Sequence, residues 1–378
     1  MSPLEISSRG AYICVPTAGK LLGKGKGTMK ASVLHKYDES LTASNWVTYE
    51  DVPDPKITKP TDVLVKIGGA GVCRTDLHVI EGQWRSRMDP DGKTLLPYIM
   101  GHENAGWVEE VGSEVVGLKK GDPVILHPRL SSGFEIEHRR GEDMHGTGTF
   151  PGVSENGGYA EALVTSVRNI VALPKSLAPK AVAAYADAGL TAYHVAKKAS
   201  RTLLPGQFVV AIGAGGLGHI GIQCLKAMCA AEIIVVDMSD MALKLAKESG
   251  ADHVIKADGN EVEAVLQLTK GFGAEAVIDF VGEKGSIKKG LAMTRALGNY
   301  YIVGYGEDIQ ISALDLITTE RNIVGNLVGT WADLNELMSL AERGLVHLST
   351  VEYALKDADQ ALHDLNAGKV KGRAILVP

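Results

Sequence analysis

The chain has 378 residues, 45% of them hydrophobic and 22% charged, and a formal net charge of −6. That is the balance of an ordinary globular protein with room for two or three domains, whose core needs neither disulfides nor a structural metal. Its acidic balance gives no drive towards nucleic acid or an anionic membrane surface, and no run of about 18 apolar residues offers a membrane-spanning helix.

Residues 1–28 read as an extension without an assignable fold. The start, MSPLEISSRGAYICVPTAG, lacks the charged beginning and apolar run of a secretory signal, and KLLGKGKGT is basic and flexible. Residues 29–184 carry short β-like runs broken by Gly and Pro, among them VLVKIGGAGV, ENAGWVEEVG, DPVILHP and YAEALVT. This texture predicts a twisted, mostly β domain rich in turns. An Ala-rich stretch of helical period, PKAVAAYADAGLTAYHVAKKA, marks the change to the next domain. Over 185–329 six short apolar runs follow: FVVAIG, EIIVVD, HVIKA, AVIDFVG, YYIVGYG and NIVGNLVG. Helical stretches separate most of them, which predicts a doubly wound α/β domain with a buried parallel sheet. The last of these runs, Asn322–Thr330, reads as a strand able to pair at a subunit interface. Residues 330–378 end in a strand, a helix and a final strand, expected to return to the first domain. The cysteines, Cys14, Cys73, Cys224 and Cys229, are dispersed without a C-x-x-C pair, which suits a reducing cytoplasm better than a disulfide framework.

The strand candidate ending at Gly213 runs into Gly213-Ala-Gly215-Gly216-Leu217-Gly218 and then a helix pattern. This is a G-x-G-x-x-G in its strand–turn–helix setting. Gly213 makes the turn, Gly215 admits the pyrophosphate, Gly218 lets helix and strand pack, and the helix N-terminus faces the phosphates. The next strand ends at Asp237, placed to accept from the adenosine ribose hydroxyls and to repel a 2′-phosphate, so NAD is favoured over NADP. The bland alternative is a packing turn with a solvated Asp at a strand end.

Two segments of the first half carry ligand-type residues: Gly71-Val-Cys73-Arg74-Thr75-Asp76-Leu-His78 and Gly101-His102-Glu103-Asn-Ala-Gly106. A thiolate and an imidazole suit zinc, and a catalytic zinc takes three protein ligands, leaving a position for water or substrate. Asp187 is a third candidate, because a carboxylate in the apolar stretch AVAAYADAGLTAY is costly unless paired or bound to a cation. Alternatives stay open for each. Cys73 and His102 also read as core residues, and Asp187 as the N-cap of AGLTAYHVAKKA.

From about residue 29 onwards the chain resembles the zinc-containing medium-chain dehydrogenase/reductase family, the alcohol dehydrogenases. GVCRTDLH, GHENAG, GDPV, GGYAE, ADAGLTAYH, GAGGLG and GRAILVP follow the family's order and spacing. The resemblance implies a GroES-like catalytic domain with a Rossmann domain. It also implies hydride transfer between a primary or secondary alcohol, aromatic or cyclic ones included, and NAD. Cys73, His102 and, as in a microbial branch of the family, Asp187 are implied zinc ligands, with Glu103 beside the metal and Asp76 orienting His102. Arg74 and Arg373, which in isolation read as solvated, are implied to contact the pyrophosphate. A proton relay from the alcohol through Thr75, a ribose hydroxyl and His78 to water is implied as well; alone, His78 reads as a surface histidine. At the spacing where the family often binds a structural zinc through four cysteines, this chain has Ser132, Glu135, His138 and Gly146. No thiolate remains there, so one zinc is expected per chain, although Glu135, His138 and His145 are metal-capable types. Trp84 and Trp331 are candidate wall residues of the alcohol pocket, and a homodimer or homotetramer is expected. The rivals are a zinc-free quinone or enone reductase of the same superfamily, with no need of Cys73, His102 and Asp187 together, and a non-catalytic NAD-binding protein.

Overall fold

The structure, a computed structural model, describes residues 27–89 and 95–378. The extension expected at 1–28 lies, up to residue 26, outside the described residues. Three strands, β1 (Thr28–Leu34), β2 (Val47–Pro53) and β4 (Tyr98–Ile99), form a small antiparallel sheet in the order β2-β1-β4. A larger sheet is built around β3 (Asp62–Val72), with β5 (Glu103–Val111), β6 (Pro123–Leu126), β9 (Ala162–Ser166) and β10 (Ile170–Ala172). A two-stranded ribbon, β7 (Leu130–Ser131) with β8 (Gly148–Thr149), closes a lobe between β6 and β9.

The second sheet has six strands: β11 (Phe208–Ile212), β12 (Glu232–Asp237), β13 (His253–Lys256), β14 (Ala274–Asp279), β15 (Thr294–Ile302) and β16 (Asn322–Gly325). They pair in parallel in the order β13-β12-β11-β14-β15-β16. The direction of winding reverses between β11 and β14. This is the crevice in which a doubly wound sheet binds ligands beyond the carboxyl ends of its strands. The tail then supplies β17 (Thr350–Ala354) and β18 (Arg373–Val377), and β18 pairs antiparallel with β3 of the first sheet.

The Ala-rich stretch joins the two sheets. Ala183, Ala184, Tyr185 and Ala186 are buried in one apolar core with Ala105 and Ile125, and the helix Ala188–Ser200 continues that core to Val209 and Ile233. Small side chains let this segment lie close to both sheets.

The strand expected over Asn322–Thr330 is shorter than its apolar run. The Asn326 side chain donates to the carbonyls of Ile302 and Val324 at 3.1 and 3.0 Å, which ends the pairing, and Val328 has φ +45°. No helix among the described residues is long and apolar enough to cross a membrane.

Candidate metal centre and cofactor cleft

Cys73 follows β3 directly and caps the helix Arg74–Ile80. Its backbone N–H donates to Asp76 Oδ2 at 2.8 Å, which fixes the turn. His102 and Glu103 lie at the start of β5, the neighbour of β3. Gly71 faces Glu103 across the two strands, and a Cβ at Gly71 would sit 1.9 Å from the Glu103 carboxylate. Only glycine leaves room for that side chain. Asp187 precedes the helix Ala188–Ser200. Cys73, His102, Glu103 and Asp187 are all buried, and one ligand atom from each lies within 4.8 Å of the others. Among the described residues this is the one such group of three or more.

Hydrogen bonds separate the four by task. Asp187 stands at the N-cap position but its side chain makes no cap bond. The helix start is served instead by Glu103, whose Oε1 accepts from Ala188 N at 2.9 Å. The other Glu103 oxygen accepts from Arg373, which is only 3% exposed. Burial raises the Glu103 pKa, against the charges of Arg373 and His102. His102 Nδ1 lies 3.3 Å from Asp76 Oδ1, and Asp76 Oδ2 accepts from the Tyr159 hydroxyl at 2.8 Å. His102 Nε2 is buried, has no hydrogen-bond partner and lies 3.4 Å from Asp187 Oδ2. Burial opposes charge on this ring, yet the Asp76 and Asp187 carboxylates outweigh it and raise its pKa. The cluster thus draws positive charge inward. An orphaned imidazole nitrogen beside a thiol and an uncommitted carboxylate is a donor set that fits zinc.

Two residues of the cluster, Cys73 and Asp187, line a cavity of about 580 Å³. Trp84, Met88, Phe150, Val153, Leu327 and Val328 give it apolar walls, and Leu217 of the glycine-rich turn and Phe280 reach into it. Thr75 and exposed Arg74 line the same space. His78, whose isolated reading was a surface histidine, is buried because its helix packs inward. Burial, then the Arg74 charge, lowers its pKa to about 4. Arg373, likewise readable as solvated, is buried because Glu103 neutralises it. Trp331 does not line the cavity: its indole N–H donates to the Ile170 carbonyl at 3.0 Å, holding the helix Trp331–Glu342 to β10.

Two site residues escaped the sequence reading. Tyr159 belongs to GGYAE and holds Asp76; its signal was a lone aromatic between glycines and an acid. Tyr305 lies 2.7 Å from His78 Nδ1 through its hydroxyl, and burial raises its pKa to about 12. Its signal was an aromatic between Gly304 and Gly306 just beyond a parallel strand, where ligands bind.

The glycine-rich turn opens at the carboxyl end of β11. Gly213 has φ +88°, a conformation that favours glycine. Leu217 caps the helix Gly218–Met228, and a Cβ at Gly218 would meet the Gly213 carbonyl at 1.9 Å. A Cβ at Gly216 would lie 2.8 Å from Arg373 Nη1, so the turn and that arginine face each other. Asp237, at the end of β12, accepts from Ala214 N at 2.8 Å and Ser239 N at 2.7 Å. It borders a second cavity of about 230 Å³ together with Gly213 and Met238.

In the lobe, the structure brings Ser132, Glu135, His138 and Gly146 together. Ser132 Oγ is 3.5 Å from His138 Nδ1, and Glu135 is 3.9 Å from His138 Nε2. The imidazole fills the space that a side chain at Gly146 would need. Glu135 accepts from Thr147 N at 2.7 Å, and buried Arg129 donates to the Gly146 carbonyl at 2.6 Å.

A β domain, a Rossmann-type sheet and a buried thiol–imidazole–carboxylate cluster between them define a metal-dependent, dinucleotide-linked oxidoreductase. Residues 59–175 match the model of the alcohol dehydrogenase GroES-like domain, and residues 216–343 that of the zinc-binding dehydrogenase. The chain belongs to the zinc-binding alcohol dehydrogenase family. It is 38% identical over 355 residues to an NAD-dependent alcohol dehydrogenase of Sulfolobus acidocaldarius, covering 92% of this chain and 99% of that one. A Sulfurisphaera tokodaii protein of the same description is 37% identical over 335 residues, covering 87% and 96%. The crystal structure of the alcohol dehydrogenase of Aeropyrum pernix superposes with a TM-score of 0.87 at 42% identity, covering 92% of this chain and 100% of that one.

Proposed function

We propose that this chain oxidises apolar secondary or aromatic alcohols with NAD, at a zinc held by Cys73, His102 and Asp187 with Glu103 beside it. The observation that carries the reading is one cavity lined both by Cys73 and Asp187 of the ligand cluster and by Leu217 of the cofactor turn. When bound there, zinc supplies a Lewis acid that acidifies a coordinated hydroxyl, and NAD supplies the hydride acceptor. Asp76 keeps the His102 ring turned to the metal. The Thr75 hydroxyl, which both accepts and donates, takes the proton from the substrate side. His78, with its pKa lowered to about 4, stays neutral and passes the proton on towards water. The apolar walls exclude water and favour a bulky hydrocarbon group over a polyol. Asp237 takes the ribose hydroxyls, Arg74 neutralises the pyrophosphate, and Arg373, whose charge Glu103 balances, contacts it from beside Gly216. A zinc-free reductase has no use for four converging ligand atoms.

The remaining readings are of setting. A homodimer or homotetramer is supported by the edge of β16, which pairs only with β15 among the described strands. A cytoplasmic setting is supported by Cys73, Cys224 and Cys229, which are free thiols.

A screen of NAD reduction over primary, secondary, cyclic and benzylic alcohols and aldoses tests the substrate. We expect cyclic or benzylic alcohols to exceed ethanol and aldoses by about tenfold or more in kcat/KM; an aldose preference contradicts the reading. Asp237→Ser should narrow the preference for NAD over NADP by about tenfold. Equal kcat/KM for both cofactors in the unaltered protein contradicts the role of Asp237.

A further inference from the structure

His219 is the second residue of the helix Gly218–Met228 and is 1% exposed. Both ring nitrogens are engaged. Nδ1 lies 2.8 Å from the Gly215 carbonyl oxygen, and Nε2 is 3.4 Å from the Ser349 backbone nitrogen. A carbonyl only accepts and a backbone N–H only donates, so the ring is neutral with its proton on Nδ1. Burial lowers its pKa to about 4; the Gly215 carbonyl works against this and the Arg373 charge adds to it. At neutral pH the ring therefore holds one tautomer.

The two partners belong to different segments, the glycine-rich turn and the residue before β17. Gly215 lies in the glycine-rich turn, and a Cβ there would meet nothing within 4 Å, so its outer side is open. The Ser349 carbonyl accepts from Arg373 N at 2.8 Å, which ties Ser349 to the residue facing Gly216. A trans peptide points its C=O and N–H in opposite directions. Holding the Gly215 carbonyl inward, where it also accepts the His219 backbone N–H at 3.3 Å, turns the Gly216 N–H outward. Between two glycines this peptide is otherwise free to flip and present its carbonyl to an anion. One turn along the helix, Gln223 donates to the His347 carbonyl at 2.9 Å and accepts from His347 N at 2.8 Å. It docks the same segment without touching the turn.

We propose that His219 is a positioning residue for the cofactor pyrophosphate, locking the Gly215–Gly216 peptide with its N–H outward and fixing it relative to Arg373. The proposal rests on the NAD reading above. It is tested on the zinc-loaded protein by calorimetry with NAD and ADP-ribose and by ligand-observed NMR with adenosine, which lacks the pyrophosphate. His219→Leu should weaken NAD and ADP-ribose by about tenfold or more, leave adenosine within about twofold, and leave zinc content unchanged. KM for NAD should rise while kcat at saturating NAD holds. His219→Asn, which keeps a donor near Gly215, should recover most of the affinity and covers the case in which the leucine variant does not fold. Gln223→Leu should bind all three ligands as the unaltered protein does. Equal weakening of all three ligands in both His219 variants would overturn the proposal, as would NAD affinity within about twofold in His219→Leu. An unaltered protein that binds none of the three fails the NAD reading itself.

Discussion

The metal cluster and the lobe between β7 and β8 hold similar residue types and differ in how their polar atoms are spent. In the lobe, Glu135 is committed to Thr147 N, the Gly146 carbonyl to Arg129, and His138 packs where a fourth side chain would be. Two metal-capable side chains approach each other there, at 3.9 Å, and stop. In the metal cluster four ligand atoms converge, His102 Nε2 has no partner, and Asp187 forgoes the cap bond its position offers. Buried polar atoms left unsatisfied cost about 1–3 kcal/mol each. Their convergence with four ligand atoms at one point marks a site that fits an ion, whereas in the lobe His138 Nε2, also without a partner, has a single carboxylate 3.9 Å away.

The contrast breaks most readily at Asp76. Asp76→Asn removes the carboxylate beside His102 Nδ1 and should weaken zinc binding by roughly 10–100-fold, read by competition with a chelator. His138→Asn in the lobe should leave zinc affinity unchanged. Matching losses in the two variants would erase the distinction. The next effect is on stability. Arg129→Met leaves the Gly146 carbonyl without its charged donor, at a cost of roughly 1.5–3 kcal/mol in thermal or denaturant unfolding, with zinc content intact. Loss of zinc in this variant would place a metal in the lobe.

The smallest effect is in acid. His78 has its pKa lowered to about 4 by burial and then by Arg74, so the unfolded chain binds this proton first. Its contribution to stability is complete above the unfolded value near 6.5 and falls as pH drops from there towards about 4. The Glu135 pKa is lowered by its bonds to Thr147, so that contribution is present above the ordinary carboxylate value and is lost only below it. Hydrogen exchange on acidification should therefore loosen the helix Arg74–Ile80 before the lobe. The reverse order would contradict the assignment.

Local signals read well in this chain. Six apolar runs became the six strands of the parallel sheet, and the glycine spacing placed the turn at its crevice. Cys73 and His102 were legible because each stands in a short motif at a strand end. What escaped the sequence depends on contacts across the fold. The Arg373–Glu103 pair spans 270 residues, and Tyr305 meets His78 across 227. Periodicity reports which face of an element is buried and says nothing of what lies opposite it. The same limit explains Trp331, whose size suggested a pocket wall and whose indole N–H instead serves a neighbouring strand. Strand length was misjudged at Asn322–Thr330 because a single side chain, Asn326, consumes the carbonyls that would have carried the pairing onward.

Elemental analysis of Asp187→Asn beside the unaltered protein tests the central claim most directly. Asparagine caps a helix nearly as well as aspartate but is a far poorer zinc ligand. The unaltered protein should hold about one zinc per chain, and Asp187→Asn should lose most of it while still binding NAD. Full zinc occupancy in Asp187→Asn, or two tightly held zinc ions in the unaltered chain, would contradict the account.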